Sequence, residues 1–333
     1  KKKKKKKKKT MSDSPKQHMN ELGMAKVPFL FIVDFDMKKP IIIPLDDVDA
    51  DQIMYSINGK SNYNNSVDIR NDVEFNSHPV EKNRYSKAFN LVQKHIHHGD
   101  SFLLNLTMPS DIHTSLNLKE IFYSTAAKYK IWFKDNFVVY SPEIFVKTQN
   151  GKIHSFPMKG TILASLPNAR KRLLESEKEL AEHYTIVDLI RNDLSIVAKN
   201  VQVKRFRYID EVQTHKGILL QMSSEIVGEL PESFNQNIGD IIFSMLPAGS
   251  ISGAPKKKTI EVIKQAENYD RGYYTGICGI FDGENVDSGV MIRYVEQTND
   301  GLIYKSGGGI TAKSKLDEEY QELMDKIYIP FNL

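Results

Sequence analysis

The stretch from residue 276 to residue 306, GICGIFDGENVDSGVMIRYVEQTNDGLIYKS, decides the fold class. Strand-forming residues cluster over Gly276 to Phe281, Val286 to Gln297 and Leu302 to Ser306, with only four residues between one run and the next. Connections that short leave no room for a crossover helix, so neighbouring strands run antiparallel. Further strands are read at Phe29 to Asp34, Phe102 to Met108, Lys152 to Lys159, Val201 to Tyr208 and Leu219 to Val227, with a hairpin over Lys130 to Ser141. Helical spacing predicts a helix that buries Tyr85, Ala88, Phe89, Val92 and Ile96 and stops at Gly99, another over Leu118 to Lys128, and a long one from Pro167. This is an α+β pattern rather than a βαβ nucleotide-binding one.

The chain has 333 residues, 40% hydrophobic and 26% charged, a globular composition that suits one large domain or two coupled ones. Its net charge of +4 misleads, because Lys1 to Lys9 form an unbroken homopolymer that reads as a tag. With those nine of the 46 basic residues set aside, 37 face 42 acidic ones, a net of −5. A mildly acidic body has no electrostatic pull towards nucleic acid or an anionic membrane, so neither is expected as a partner. Cys278 is the one cysteine, which excludes an internal disulfide and a cysteine-built metal cage. The longest apolar runs, such as Phe29 to Val33, fall far short of the ~20 residues that cross a bilayer, and no signal peptide is read. A cytoplasmic protein is expected. Residues 1–27 read as tag and disordered terminus, 28–76 as a reduced N-terminal segment packing on the main body, and 77–333 as the catalytic body.

Glu179 and Glu182 share one face of the long helix, and Glu319 and Glu322 repeat that spacing on a C-terminal helix. Four carboxylates from two helices could close round one hard cation, and oxygen-only ligation suits magnesium. Taken singly, each pair reads better as a solvated acidic face neutralised by Lys178, Lys315 and Lys326. The loop Pro247 to Lys256, PAGSISGAPK, and the run Ser306-Gly-Gly-Gly309 offer backbone that a ligand can approach, although an ordinary turn explains each alone. Arg293 lies in the apolar run Val290 to Val295, where a substrate carboxylate or an edge position open to solvent would serve equally.

Together these segments resemble the chorismate-utilising enzymes, the large subunits of anthranilate, aminodeoxychorismate and isochorismate synthases. The resemblance rests on Ser141-Pro-Glu143, Phe156-Pro-Met-Lys-Gly-Thr161, Glu179-Leu-Ala-Glu-His183, the 247–256 loop, Arg271-Gly-Tyr-Tyr-Thr-Gly276, Ile292-Arg293, Gly307-Gly-Gly-Ile310 and Glu319-Tyr-Gln-Glu322. These follow in unbroken order from about Tyr85. The family fold it implies is an antiparallel β-sandwich of two packed sheets flanked by helices, with the site between the layers.

Lys159 stands where aminodeoxychorismate synthases have lysine and the other two groups usually have alanine. The resemblance therefore implies amination of chorismate at C4 through a covalent intermediate on Lys159, whose neutral amine burial beside a cation would favour. It implies Glu143 as the acid for the departing hydroxyl, and magnesium on Glu182 and Glu322 with Glu179 and Glu319 direct or through water. Substrate binding falls to Tyr274, Arg293, Gly308, Gly309, Thr161 and Ser250. A separate glutamine amidotransferase subunit is implied as ammonia donor, since no glutaminase motif surrounds Cys278. Two departures stand out: Gln221 where many members have histidine, and Leu103 where isochorismate synthases have lysine, which argues against that activity. Anthranilate synthase and a non-catalytic scaffold are the competing readings.

Overall fold

The computed structural model describes residues 14–64, 73–214 and 217–330. The lysine run, part of the asparagine-rich 58–76 segment and the Lys178 side chain lie outside what it describes. A strand buried at every residue needs cover on both faces, and Phe29–Val33 is such a strand. Leu30 and Ile32 pack with Ile53, Tyr55, Tyr129 and Ile131 of a second sheet, while Phe29, Phe31 and Val33 join the larger core shared with the helices.

Among the described residues there are two nine-stranded sheets. The first runs in the order 158–163, 217–229, 152–155, 144–149, 286–290, 277–281, 29–33 and 41–44, with 199–214 paired along 217–229. The second runs 253–254, 103–114, 301–311, 294–298, 137–141, 129–133, 53–57 and 60–61, with 75–78 beside 103–114. Every pairing is antiparallel, as the short connections require. The helices are α1 (Pro15–Met24), α2 (Lys82–His98), α3 (Leu118–Ser124), α4 (Ala169–Glu175), α5 (Glu177–Ser195), α6 (Ile238–Ser244), α7 (Gly249–Ser252), α8 (Lys256–Glu267) and α9 (Leu316–Asp325). No described helix is long and apolar enough to cross a membrane.

Three expectations are corrected. Residues 15–24 are not frayed but form α1, because Met19 is fully buried and Asn20 Oδ1 accepts the Gly239 amide at 2.7 Å, tying α1 to α6. The 28–76 segment does not simply pack on the body, since its strands sit inside both sheets. The long helical pattern after Pro167 breaks at Ser176, whose extended backbone ends α4 and whose Oγ accepts the Glu179 amide at 3.3 Å to cap α5. Restarting there puts Glu179 in the first turn of α5, the end at which a helix favours negative charge. Elsewhere the α2 prediction agrees with the structure, down to the left-handed Gly99 at its C-cap.

Candidate active site

A cavity of about 1,010 Å3 is walled by both sheets and by α5, α7 and α9. Lys159 enters it from the strand Met158–Leu163, whose register against 217–229 shifts between Met158 and Thr161. Gly160 makes that irregularity possible: its φ is +84°, and a Cβ there would stand 2.8 Å from Glu179 Oε2. The strand thus lies against the carboxylates of α5, and Lys159 Nζ donates to Glu182 Oε2 at 3.2 Å. On the facing sheet Gly309 is close to the same amine, with 3.6 Å between Nζ and the Cβ position of that glycine. Glu322 Oε1 and Glu319 Oε2 stand 3.2 and 3.5 Å from the corresponding point at Gly308.

Burial is the largest single influence on Lys159 and would lower its pKa, but Glu182, Glu322 and Glu179 together outweigh it and hold the amine above the ordinary lysine value. The neutral amine expected from the sequence supposes a cation seated among these same carboxylates, whose charge would offset theirs. Lys326 shows the other outcome. It donates to Glu322 Oε1 at 2.6 Å and to the Gly307 carbonyl at 2.8 Å, yet burial leaves it below the usual lysine value. Lys326 lines the cavity and was read from sequence only as a neutraliser of the acidic face. Its place four residues after Glu322, a spacing at which helical side chains meet, was the signal available.

Glu179, Glu182 and Glu322 line the cavity, and Glu319 is buried behind them at 4% exposure. Among the described residues, no three acidic, histidine or cysteine side chains stand together as a ready-made metal centre. Glu182 and Glu322 are instead turned onto Lys159 and Lys326. The donor set itself, oxygen only and drawn from two helices, has the chemistry that magnesium takes.

Glu143 follows the strand Phe137–Ser141, and its backbone is fixed by bonds to Ser141 Oγ and from the Val290 amide. Its Oε1 accepts from Ser250 Oγ at 2.6 Å. Burial raises the Glu143 pKa, and the pull of Ser250, Lys159, Arg293 and Lys326 does not fully offset it. Such a carboxyl holds its proton to higher pH than a free one.

Arg293 is not in mid-strand. It occupies the break between strands 286–290 and 294–298 with a left-handed φ of +57°, a conformation that a non-glycine residue adopts only at a cost. Its guanidinium carbon lies 5.3 Å from the Tyr328 ring centre, and its buried Nε has no hydrogen-bond partner. Tyr274, 4% exposed, lines the cavity with it. Thr161 and Gln221 are cross-strand partners that both reach the cavity, as does Leu103 on the facing sheet. The residues expected from sequence to act in catalysis, substrate binding or metal ligation all line this one cavity except Glu319, which is buried beside Gly308.

This fold and site define a class. The chain belongs to the chorismate binding enzyme family, whose model matches residues 46–331. It is 50% identical over 315 residues to an uncharacterized PabA-like protein of Pasteurella multocida, covering 94% of this chain and 97% of that one. It is 30% identical over 265 residues to aminodeoxychorismate synthase component 1 of Escherichia coli, covering 74% of this chain and 57% of that one. Among solved structures, anthranilate synthase component I from Streptococcus pneumoniae superposes with a TM-score of 0.63 at 26% identity, covering 76% of this chain and 58% of that one.

Proposed function

We propose that the chain aminates chorismate, acting as the synthase component that forms 4-amino-4-deoxychorismate with ammonia from a glutamine amidotransferase subunit. The observation that carries this reading is the lysine amine at position 159 inside a cavity that also holds the Glu143–Ser250 pair. An amine there can attack C2 of the ring while the C4 hydroxyl takes the Glu143 proton and leaves as water. Ammonia then forms the new bond at C4, the double bond shifts back, and the Lys159 amine leaves C2. The sum is chorismate plus ammonia giving aminodeoxychorismate plus water. Lys159 must first lose a proton, and Glu182 Oε2 at 3.2 Å is an acceptor within reach.

Glu182 and Glu322, with Glu179 and Glu319, would hold magnesium, which when bound would supply the positive charge that offsets them and a contact for the ring carboxylate. Arg293 and Tyr274, with the amides of Gly308 and Gly309, suit the second carboxylate, while Thr161 lines the same space. The relatives named as component 1 support a partnership with a second subunit that delivers ammonia.

The test is chorismate with ammonium and magnesium, followed by mass analysis of the product. Aminodeoxychorismate is expected, and glutamine alone should not replace ammonium. Anthranilate with released pyruvate would overturn the reading in favour of an anthranilate synthase. Without ammonia, a protein adduct of chorismate less water should map to the peptide bearing Lys159. Lys159→Ala and Lys159→Arg should both lose it, because arginine keeps the charge but is too basic to act as a nucleophile.

A further inference from the structure

The acid Glu143 and the carboxylates of α5 sit on different parts of the cavity wall, yet one helix governs both. α5 carries Glu179 and Glu182 near its start and Asp193 near its end, about 20 Å further along the axis. Asp193 touches none of the groups assigned above to chorismate. Its side chain is 10% exposed, and each of its oxygens has a definite partner. Oδ1 accepts from Lys256 Nζ at 2.8 Å, and the same Nζ donates to the Met245 carbonyl at 2.8 Å. Oδ2 accepts the backbone amide of Gly249 at 3.0 Å.

That amide belongs to the residue before Ser250, the hydroxyl that donates to Glu143. The approach is close: a Cβ at Gly249 would stand 2.7 Å from Asp193 Oδ2 and 2.9 Å from Leu189 Cγ. A buried carboxylate is costly unless fully partnered, and Lys256 alone would balance its charge. The second oxygen holds the start of the loop turn that aims Ser250.

We infer that Asp193 is a positioning residue: by gripping Gly249 it holds Ser250 on Glu143 and so sets the protonation of the catalytic acid. The inference deepens the proposed role of Glu143 and rests on it. Besides Ser250, the charged groups that face Glu143 are Lys159, Arg293 and Lys326, and none of them contacts Asp193 among the bonds described. The Ser250 bond stabilises the carboxylate, so losing it raises the Glu143 pKa further.

The test reads Glu143 directly, by carbon-13 carboxyl NMR titration of glutamate-labelled full-length protein, with Glu143→Gln used to assign the signal. Ser250→Ala should move the titration up by about one pH unit. Asp193→Ala should reproduce that rise, and the double variant should add nothing to it. Asp193→Asn keeps an acceptor for the Gly249 amide and should titrate near wild type, which separates aim from mere folding damage. Asp188→Ala, an exposed change on the same helix, should leave the titration alone. The inference is overturned if Ser250→Ala moves the signal while Asp193→Ala, folded by circular dichroism, does not, or if the double variant sums the two effects. Because the readout needs no turnover, it stands even if the product proves to be something other than aminodeoxychorismate. Chorismate consumption against pH, measured in parallel, tests the acid role: its high-pH limb should rise with the NMR titration, and an unmoved limb would count against Glu143 as acid.

Discussion

Arg271 and Arg293 are two arginines of one segment, the first buried and the second half-buried, and they are partnered in opposite ways. Arg271 is complete. Its Nε and Nη2 close on Glu267 at 2.8 and 2.5 Å, Nη1 donates to the Ile251 carbonyl and Thr275 Oγ1, and Nη2 also reaches the Asn105 carbonyl at 2.7 Å. Arg293 has tyrosines around it, an orphaned Nε and a strained backbone, and it opens on the cavity. A planar cation that cannot shed its charge is stable in the interior only when its donors are used. The difference teaches that Arg271 belongs to the scaffold, clamping α8, the 253-side of the second sheet and the turn before Tyr274, whereas Arg293, proposed above to hold a substrate carboxylate, keeps a donor unused.

The largest effect should come from breaking the complete one. Arg271→Leu strands Glu267 in the interior with the Thr107 amide and hydroxyl as its remaining described hydrogen-bond donors, and should cost about 3–5 kcal/mol in urea denaturation. A loss below about 1 kcal/mol would mean that the pair is solvated or dispensable, and the contrast with Arg293 would fail.

How far this contrast was legible in the sequence depends on the range of the contact. The strand runs of 276–306 were readable because apolar residues and short connections act locally, and the structure pairs them as expected. Arg271 went unread as a scaffold residue, although Glu267 stands four positions before it, because α8 ends at Glu267 and the pair forms across the turn beyond it. Arg293 was noticed as a lone charge in an apolar run, but not as a break in the strand, since its left-handed backbone leaves no mark in composition. The Lys159–Glu182 contact depends on the bulge at Gly160, and the register of a sheet is a tertiary fact. The Asp193–Gly249 contact is likewise long-range, so only the residue types, and not their meeting, were visible.

His183 offers a smaller and pH-dependent test of the same rule, because it is buried by staying neutral. Its Nε2 lies 2.7 Å from Ser224 Oγ, its Nδ1 has no partner, and burial, followed by Arg207 and Lys159, lowers its pKa from 6.5 to about 4. The folded pKa lies below the unfolded one, so the unfolded chain binds the extra proton first. Stability is complete above about pH 6.5 and is lost as pH falls towards 4, by up to about 3 kcal/mol. His183→Gln should flatten the stability profile in that window. An unchanged slope in the variant would assign the acid sensitivity to other groups.

The smallest expected effect is the most discriminating one, since it asks whether Arg293 is held for its charge or for its fork. Arg293→Lys keeps a cation but loses the paired donors that match a carboxylate, and should weaken chorismate binding by about 2 kcal/mol, roughly thirtyfold in KM, with kcat much less affected. Folding stability should not fall, because among the bonds described no carboxylate accepts from this guanidinium as Glu267 does from Arg271, and the lysine keeps the charge that Glu143 feels. Arg293→Met goes further: it removes a half-buried charge that is bonded to no carboxylate among the bonds described, so denaturation should require as much urea as in the wild type or more, even as binding is lost. If Arg293→Met instead unfolds as readily as Arg271→Leu while the lysine variant binds chorismate normally, then both arginines are scaffold. The carboxylate clamp would then have to be sought at Lys326, another cation on the cavity wall, which donates to the Gly307 carbonyl and whose pKa burial lowers.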